Sequence, residues 1–299
     1  MERKILINLP PEEYEHPFDK AALAKLRSLT GFDTFTNVFL NWGYVRWEII
    51  QLQGSNFQIT RESCPEIYEI ARKVATTLSV DDFPEIYSQW GYYINGFTTG
   101  YKERTIMVLN SGAIDLLSQK QLSFIIGHEM GHIKSGHVIY HQMASLFSDL
   151  VKIVPLGESL LGPIKYWLLY WDRMSEFTAD RAGLLACQDK EEALKTIVKM
   201  SGVPIKYFEN LNTAAFLKQA EEFERLNSGV FDSAIKTISI LTSTHPWTVY
   251  RAGELYKWVE SGEYDRILTK YEGVPCKYCG NIVAKDATYC HVHGGHPFE

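Results

Sequence analysis

His128-Glu129-Met130-Gly131-His132 is the most informative stretch of the sequence. On an α-helix, histidines four positions apart differ by only about 40° around the axis, so both rings can bind one ion. Zinc prefers such imidazole ligands. Glu129 lies about 100° away on the helix, where a carboxylate can accept a proton from water at the metal. The motif therefore predicts His128 and His132 as zinc ligands and Glu129 as the general base.

The segments before this motif predict its surroundings. Ser118 and Gln121 have the spacing of a capping box and apolar residues follow at once, so we expect a helix to begin at Gln119. Residues 85–110 are rich in Tyr, Ile, Thr and Val and contain three glycines, which is typical of two or three short strands. We expect these strands to form a small antiparallel sheet.

A catalytic zinc site needs a third protein ligand, and a second predicted helix offers two carboxylates. Glu176 and Asp180 are four residues apart, and Ala179 and Gly183 are small enough for the two helices to approach closely. One carboxylate can bind zinc, and the other can accept the free ring N–H of a ligating histidine.

Residues 244–251 give a weaker signal. His245 precedes a proline and Arg251 follows six residues later. A histidine before proline is usually a turn residue, and an arginine on a helix is usually a surface charge. As functional groups, both are candidate donors to a tetrahedral oxyanion.

Three motifs in this order resemble those of the HtpX-like and CAAX prenyl protease family of gluzincin zinc metallopeptidases. They are HEMGH at 128–132, RMSEFTAD at 173–180 and THPWTVYR at 244–251. The similarity extends to INGFTTG at 94–100 and VLNSGAIDLL at 108–117, so it spans roughly residues 80–255. The resemblance implies a zinc-dependent metalloendopeptidase that hydrolyses peptide bonds through a zinc-activated water.

The resemblance also implies a role for each matching residue. It implies His128, His132 and Glu176 as zinc ligands, Glu129 as general base, Asp180 as the acceptor behind a ligating histidine, and His245 and Arg251 as support for substrate or oxyanion. It implies that the strand of Asn95, Gly96, Phe97 and Thr98 aligns an extended peptide by backbone pairing.

Apolar spacing elsewhere is helical, with helices predicted over 18–28, 34–52 and 65–78 and from 172 to about 260. Residues 138–171 are the most apolar stretch, but charges interrupt it and Pro155 and Pro163 are expected to break any helix. We therefore expect a buried or cleft-covering helical hairpin and no membrane span. His137 and His141 are also four apart, but His137 lies about 140° from His132 on a continuous helix, which predicts both as polar surface residues.

The C-terminal segment 273–299 concentrates three cysteines and three histidines in a piece too small for its own hydrophobic core. The candidate ligands of a closed zinc site are Cys276, Cys279, Cys290 and His293, with His291 or His296 as alternatives to His293. The pattern resembles a zinc ribbon, so we expect one structural zinc ion and a scaffold or protein-docking role. Free thiols in a frayed tail are the alternative.

Composition excludes several classes of function. The 299 residues include 30 Lys plus Arg and 36 Asp plus Glu, a net charge of -6, so no cationic field attracts nucleic acid or anionic lipid. The N-terminal apolar stretch is too short for a signal peptide, and the clustering of the five cysteines indicates metal binding in a reducing compartment. We expect a cytoplasmic protein with a peptide or protein substrate and no contact with nucleic acid or membrane.

Together these features predict an α+β protein, mainly α, with a small antiparallel sheet packed over the active-site helix, and the resemblance implies the gluzincin metallopeptidase fold. We expect an N-terminal helical segment at 1–80, a catalytic domain at 81–262 and the zinc-ribbon-like tail at 273–299. The alternative function is a non-catalytic zinc-binding adaptor on a metallopeptidase scaffold. A tail that binds nucleic acid is disfavoured, since residues 273–299 contain only two lysines as cations.

Overall fold

The structure is a computed structural model that describes residues 3–101, 104–226 and 247–298. Most of the described chain is helical, as predicted. The helices are α1 (Pro17–Arg27), α2 (Phe32–Asn41), α3 (Tyr44–Ser55), α4 (Pro65–Leu78), α5 (Ser111–Leu116), α6 (Gln119–Lys134), α7 (Val138–Ser145), α8 (Phe147–Leu150), α9 (Glu158–Cys187), α10 (Lys190–Met200), α11 (Thr213–Leu226), α12 (Thr248–Glu260) and α13 (Glu263–Lys270). Short 3-10 helices lie at Pro11–Glu13 and Ile205–Asn210.

The main sheet has four strands in the order β1-β2-β4-β3. These are β1 (Phe57–Ile59), β2 (Glu85–Gln89), β3 (Gly96–Tyr101) and β4 (Arg104–Asn110). The predicted antiparallel sheet is wrong in one respect, because β2 and β4 are parallel. β4 follows β3 along the chain but lies between β3 and β2 in the sheet. It is antiparallel to β3 and parallel to β2, so β3 is an edge strand. β1, which pairs antiparallel with β2, was too short to be predicted.

Helix α6 begins at Gln119, as predicted, and its capping box is formed. The Ser118 hydroxyl accepts from the Gln121 backbone N–H, and the Gln121 side chain accepts from the Ser118 backbone N–H. The hydrogen bonds satisfy two donors that a helix start leaves without partners. The cap therefore fixes the point from which the helix carries residues 128–132 into the core.

Helices α6 and α9 cross very closely because small residues face each other. A Cβ added at Gly127 would lie 2.2 Å from the Cβ of Ala186, and one at Gly131 would lie 2.5 Å from the Cβ of Ala182. Such distances are shorter than any real carbon contact, so only glycine fits at these two positions. Close packing brings residues 128–132 of α6 next to residues 176–180 of α9.

Residues 138–171 form α7, α8 and the first half of α9, which pack into a core with α1, α2 and α3. The expectation that Pro163 breaks a helix was wrong, since it lies in the sixth position of α9. Pro163 removes only one backbone hydrogen bond near the start of a helix of 30 residues, which the packing of α9 tolerates. No helix in the described ranges is long and apolar enough to cross a membrane.

The N-terminal and C-terminal segments lie against each other and against this core. Asp19 on α1 is fully buried and accepts hydrogen bonds from Trp171 Nε1 at 2.8 Å and Thr178 Oγ1 at 2.6 Å. The Gly273 N–H donates to the Ile5 carbonyl at 2.7 Å. The tail continues as a two-stranded antiparallel sheet of β5 (Val274–Pro275) and β6 (Ile282–Val283).

Candidate active site

Two helices bring three metal-ligating side chains together. His128 and His132 lie on α6, Glu176 lies on α9, and all three are buried. The Nε2 atoms of the two histidines are 3.2 Å apart. The Glu176 carboxylate oxygens lie 3.5 Å from His128 Nε2 and 3.4 Å from His132 Nε2. Ligand atoms about 2.0–2.1 Å from a tetrahedral zinc ion are separated by about 3.3 Å, so these three side chains fit that ion.

The charges around these atoms also favour a divalent cation. Three carboxylates are buried here: Glu176 and Asp180 form ion pairs with the guanidinium of Arg251, and Glu129 interacts with it electrostatically. When ionised, they exceed it by two negative charges, which a divalent cation balances. Burial lowers the pKa of His128, but hydrogen bonds to Asp180 and Glu176 outweigh burial and raise the pKa to about 9. The site therefore attracts positive charge.

Glu129 lies beside the three ligands and lines the same cavity. A Cβ added at Gly96 would lie 3.2 Å from Glu129 Oε1, so the missing side chain at Gly96 lets this carboxylate approach β3. Burial raises the pKa of Glu129 to about 7, because the carboxylate has lost its water. A carboxylate with such a pKa can accept and return a proton near neutral pH.

Asp180 and Arg251 contact His128 on the Nδ1 side of its ring. Asp180 Oδ1 accepts a hydrogen bond from His128 Nδ1 at 3.0 Å, so the neutral form of the ring carries its lone pair on Nε2. Arg251 donates to both oxygens of Asp180, from Nε at 2.8 Å and from Nη2 at 2.6 Å. Its Nη1 lies 3.4 Å from Glu176 Oε2. Arg251 is only 2% exposed, so it is part of the buried site and not a surface charge. His245 lies outside the described residues.

The prediction that His137 and His141 are polar surface residues was wrong. Helix α6 ends before them and Gly136 turns the chain with a φ of +70°, so the angle expected on a continuous helix does not apply. His137 Nδ1 lies 3.1 Å from His132 Nδ1, and His141 Nε2 lies 3.2 Å from the same atom. The Ser135-Gly136 pair is a helix-end signal in the sequence that indicates this break.

Two carboxylates set the protonation of these two rings. Asp19 lies 3.2 Å from His137 Nε2 and accepts its hydrogen, and Asp172 accepts the hydrogen of His141 Nδ1. Each ring therefore presents a lone pair on its other nitrogen, and both lone pairs face His132 Nδ1. A hydrogen on that atom satisfies them and leaves His132 Nε2 available for a metal.

Strand β3 and the residue before it form one wall of the cavity. Asn95, Gly96, Phe97 and Thr98 line a space of about 110 Å³ together with the three ligands. In the part of the sheet that the structure describes, β3 pairs with β4 on one side only. Its other edge has no strand partner there.

The tail brings four further ligand atoms together. Cys276 Sγ lies 3.2 Å from His293 Nδ1, and Cys279 Sγ lies 3.7 Å from Cys290 Sγ. Thiolates bound to one tetrahedral zinc ion at about 2.3 Å are about 3.8 Å apart, so this spacing fits. A hydrogen bond from the His293 backbone N–H lowers the pKa of Cys290 to about 6, which favours the metal-binding thiolate. His293 belongs to this group, whereas the sequence left His291 and His296 as alternatives.

Comparison with known proteins agrees with the geometry. Residues 63–259 match the model of Peptidase family M48. The Plastoglobule-localized metallopeptidase 48, chloroplastic, of Arabidopsis thaliana is 27% identical over 267 residues, which cover 88% of this chain and 77% of the relative. Protease HtpX homologs of Burkholderia thailandensis and Burkholderia mallei are each 22% identical over 236 residues, covering 70% of this chain and 79% of theirs. No solved structure matches significantly. Since the family model covers most of the chain, this protein belongs to peptidase family M48 and is an HtpX-like zinc metallopeptidase that acts on peptides or proteins.

Proposed function

We propose that the chain is a zinc-dependent metalloendopeptidase in which His128, His132 and Glu176 bind one catalytic zinc ion. The observation that carries this proposal is the spacing of the three buried ligand atoms, 3.2 to 3.5 Å, beside Glu129. The cavity opens between these atoms and the edge strand β3, which is where a peptide has to lie.

Glu129 is the proposed general base. A bound zinc ion supplies Lewis acidity, which activates water and polarises the substrate carbonyl. Glu129 accepts the proton of the attacking water and passes it to the leaving amine, so that the peptide bond breaks to an acid and an amine. The close approach of Glu129 Oε1 to Gly96 on β3 supports this role, since β3 is the proposed substrate strand.

The backbone of Asn95, Gly96, Phe97 and Thr98 is the proposed substrate strand, since its free edge faces the cavity. Arg251 is proposed to support the oxyanion through Nη1, the terminal nitrogen that does not bind Asp180. A single well-placed donor of this kind contributes about 3 kcal/mol. A similar role for His245 is proposed from the sequence resemblance alone.

His137 and His141 are proposed to position His132. The three rings bring their nitrogens close enough to form a metal-ligating group of their own. Asp19 and Asp172 instead accept the hydrogens of His137 and His141, so each of these rings directs a lone pair toward the N–H of His132. The two lone pairs fix the orientation of the His132 ring, and no second metal ion is needed. Asp180 fixes the His128 ring in the same way from the other side.

Cys276, Cys279, Cys290 and His293 are proposed to bind a second, structural zinc ion. In the described part of this small unit, Val283 is the only buried apolar residue besides Cys276 and Cys290, so we expect its stability to depend on metal. We propose a zinc-ribbon-like tail at 273–299 that serves as a scaffold or docks a protein, a catalytic domain at 81–262, and an N-terminal segment at 1–80 that packs on it.

The proposed compartment is the cytoplasm, on the basis of the cysteine pattern. The odd number of cysteines and their clustering near the C-terminus favour metal binding over disulfides, as expected in a reducing environment. The Arabidopsis relative is named as plastoglobule-localized and chloroplastic, so a plastid is the alternative compartment. Localisation of a C-terminally tagged chain distinguishes the two.

Incubation of the purified protein with a peptide library tests the proposed activity. We expect the wild type to cleave peptides and Glu129→Gln to lose at least about 100-fold of the rate while it keeps its zinc. A wild type that binds zinc and cleaves no peptide would instead support the alternative, a non-catalytic adaptor on this scaffold.

A further inference from the structure

A second cavity opens beside the metal site. It has a volume of about 430 Å³ and shares Phe97, Thr98, His141 and Glu176 with the smaller cavity that contains the ligands. A substrate side chain close to the cleaved bond can therefore enter it. Ligand pockets in proteins typically have volumes of about 300–1,000 Å³, so the space is sufficient for a long side chain.

The walls of this cavity come from four elements. β3 and α7 form two of them, and α9 contributes Leu169, Asp172 and Arg173. The fourth is α3, which contributes Glu48. Glu48 lies outside residues 63–259, the part of the chain that the family model matches. The N-terminal segment therefore contributes one acidic side chain to this cavity.

Glu48 and Asp172 differ in how their charges are balanced. Asp172 contacts the guanidinium of Arg173 and accepts a hydrogen bond from His141. Glu48 accepts a hydrogen bond from the Thr99 hydroxyl at 3.2 Å, and the Thr99 hydroxyl in turn accepts one from Gln142. Within the described ranges, no lysine, arginine or histidine forms an ion pair with Glu48.

Among the described residues Glu48 thus has no cationic partner, and its side chain is partly buried. Burial raises the pKa of Glu48, because the carboxylate has lost part of its hydration and the Thr99 hydroxyl replaces it only in part. A cation that enters the cavity compensates this loss. A charge-assisted hydrogen bond in such a site is stronger than one at an exposed surface.

We infer that Glu48 is a specificity-determining residue that forms a subsite for a lysine or arginine side chain of the substrate. The inference rests on the proposed peptidase function and adds to it a class of substrate. The basic residue occupies a position near the cleaved bond, since the subsite shares four residues with the metal cavity.

The test compares peptides that differ only by Lys, Gln or Glu at each position near the cleaved bond. For the wild type we expect kcat/KM to be about tenfold higher with Lys than with Gln at one position, as for a hydrogen bond between charged groups. In Glu48→Gln, which keeps the size and the acceptor for Thr99, the Lys-to-Gln ratio falls to near one. In Glu48→Lys the preference changes to Glu. Glu62→Gln, an exposed acid far from the cavity, serves as the matched control and keeps the wild-type ratio.

Binding of the same peptides to Glu129→Gln, measured by fluorescence anisotropy, gives the preference without cleavage. A wild type that cleaves neutral and basic peptides equally well overturns the role of Glu48 but not the peptidase function. A Lys preference that persists in folded, zinc-loaded Glu48→Gln does the same. Absence of all cleavage overturns the peptidase function, and absence of a Lys preference in binding overturns the subsite.

Discussion

Arg251 donates two hydrogen bonds to Asp180, and Asp180 in turn accepts one from His128 Nδ1. The three groups are buried, so each hydrogen bond orients the next without competition from water. A ring held in this way has one orientation. The arginine on α12 is therefore linked to the candidate ligand His128 through a carboxylate on α9.

Asp180→Asn tests this relationship. The amide keeps the shape of the side chain but loses the charge that holds His128 and Arg251, so we expect zinc affinity to fall by about 10–100-fold. Competition with a chelator measures the affinity, and circular dichroism confirms the fold. Asp265→Asn, an exposed acid paired with Lys190, is the matched control and is expected to bind zinc as the wild type does. Equal affinity in folded Asp180→Asn would refute the positioning role.

Asp19→Asn tests the contact on the other side of the site. Asp19 fixes His137, and His137 faces His132 Nδ1, so loss of the charge is expected to weaken zinc binding by about tenfold. The rate of zinc transfer to a chelator is the measurement, with Asp33→Asn on the exposed side of α2 as control. If the variant melts at a lower temperature but releases zinc at the wild-type rate, the contact stabilises the fold only.

Gly127→Ala tests the close crossing of α6 and α9. The added methyl group would lie 2.2 Å from the Cβ of Ala186, so the helices have to separate. We expect a loss of about 1–3 kcal/mol in the free energy of unfolding, measured in urea. The control is Gly54→Ala on α3, where a Cβ has no neighbour within 4 Å, and there we expect a gain of up to about 1 kcal/mol. Equal effects of the two substitutions would contradict the packing argument.

Glu13 links stability to pH. A hydrogen bond from Lys270 and a second from Arg266 lower the pKa of Glu13 to about 2 in the folded chain. A carboxyl group whose pKa is lowered by folding stabilises the fold above its unfolded pKa, and this stabilisation is lost as the pH falls through the folded pKa. We therefore expect Glu13→Gln to be less stable than the wild type at pH 6, with the difference shrinking between about pH 4.5 and 2. Urea unfolding at several pH values measures it, and a difference that does not change with pH would exclude the ion pairs as its cause.

Local patterns in the sequence predicted which candidate ligands lie close together, because helical geometry places side chains four residues apart on one face. The spacing of His128 and His132, and of Glu176 and Asp180, is of this kind. The capping box at Ser118 predicted the start of α6 for the same reason. A helix start and a ligand pair are both determined within a few residues.

The sequence contains no comparable pattern that predicts contacts between distant segments. Asp19 and Glu48 reach the site from α1 and α3, and no spacing in the sequence connects either residue with positions 128–176. The direction of β4 depends on the order of strands in the sheet, which local alternation of side chains does not encode. His137 and His141 were misplaced because one glycine ends the helix between them and His132.

Zinc content per chain tests the central claim most directly. We expect two zinc ions in the wild type, one in Glu176→Ala and one in Cys279→Ala, with peptide cleavage lost only in the first variant. Elemental analysis of dialysed, folded protein gives the count. A Glu176→Ala variant that retains both ions, or a variant with His128 and His132 substituted that still binds two zinc ions, would contradict the account.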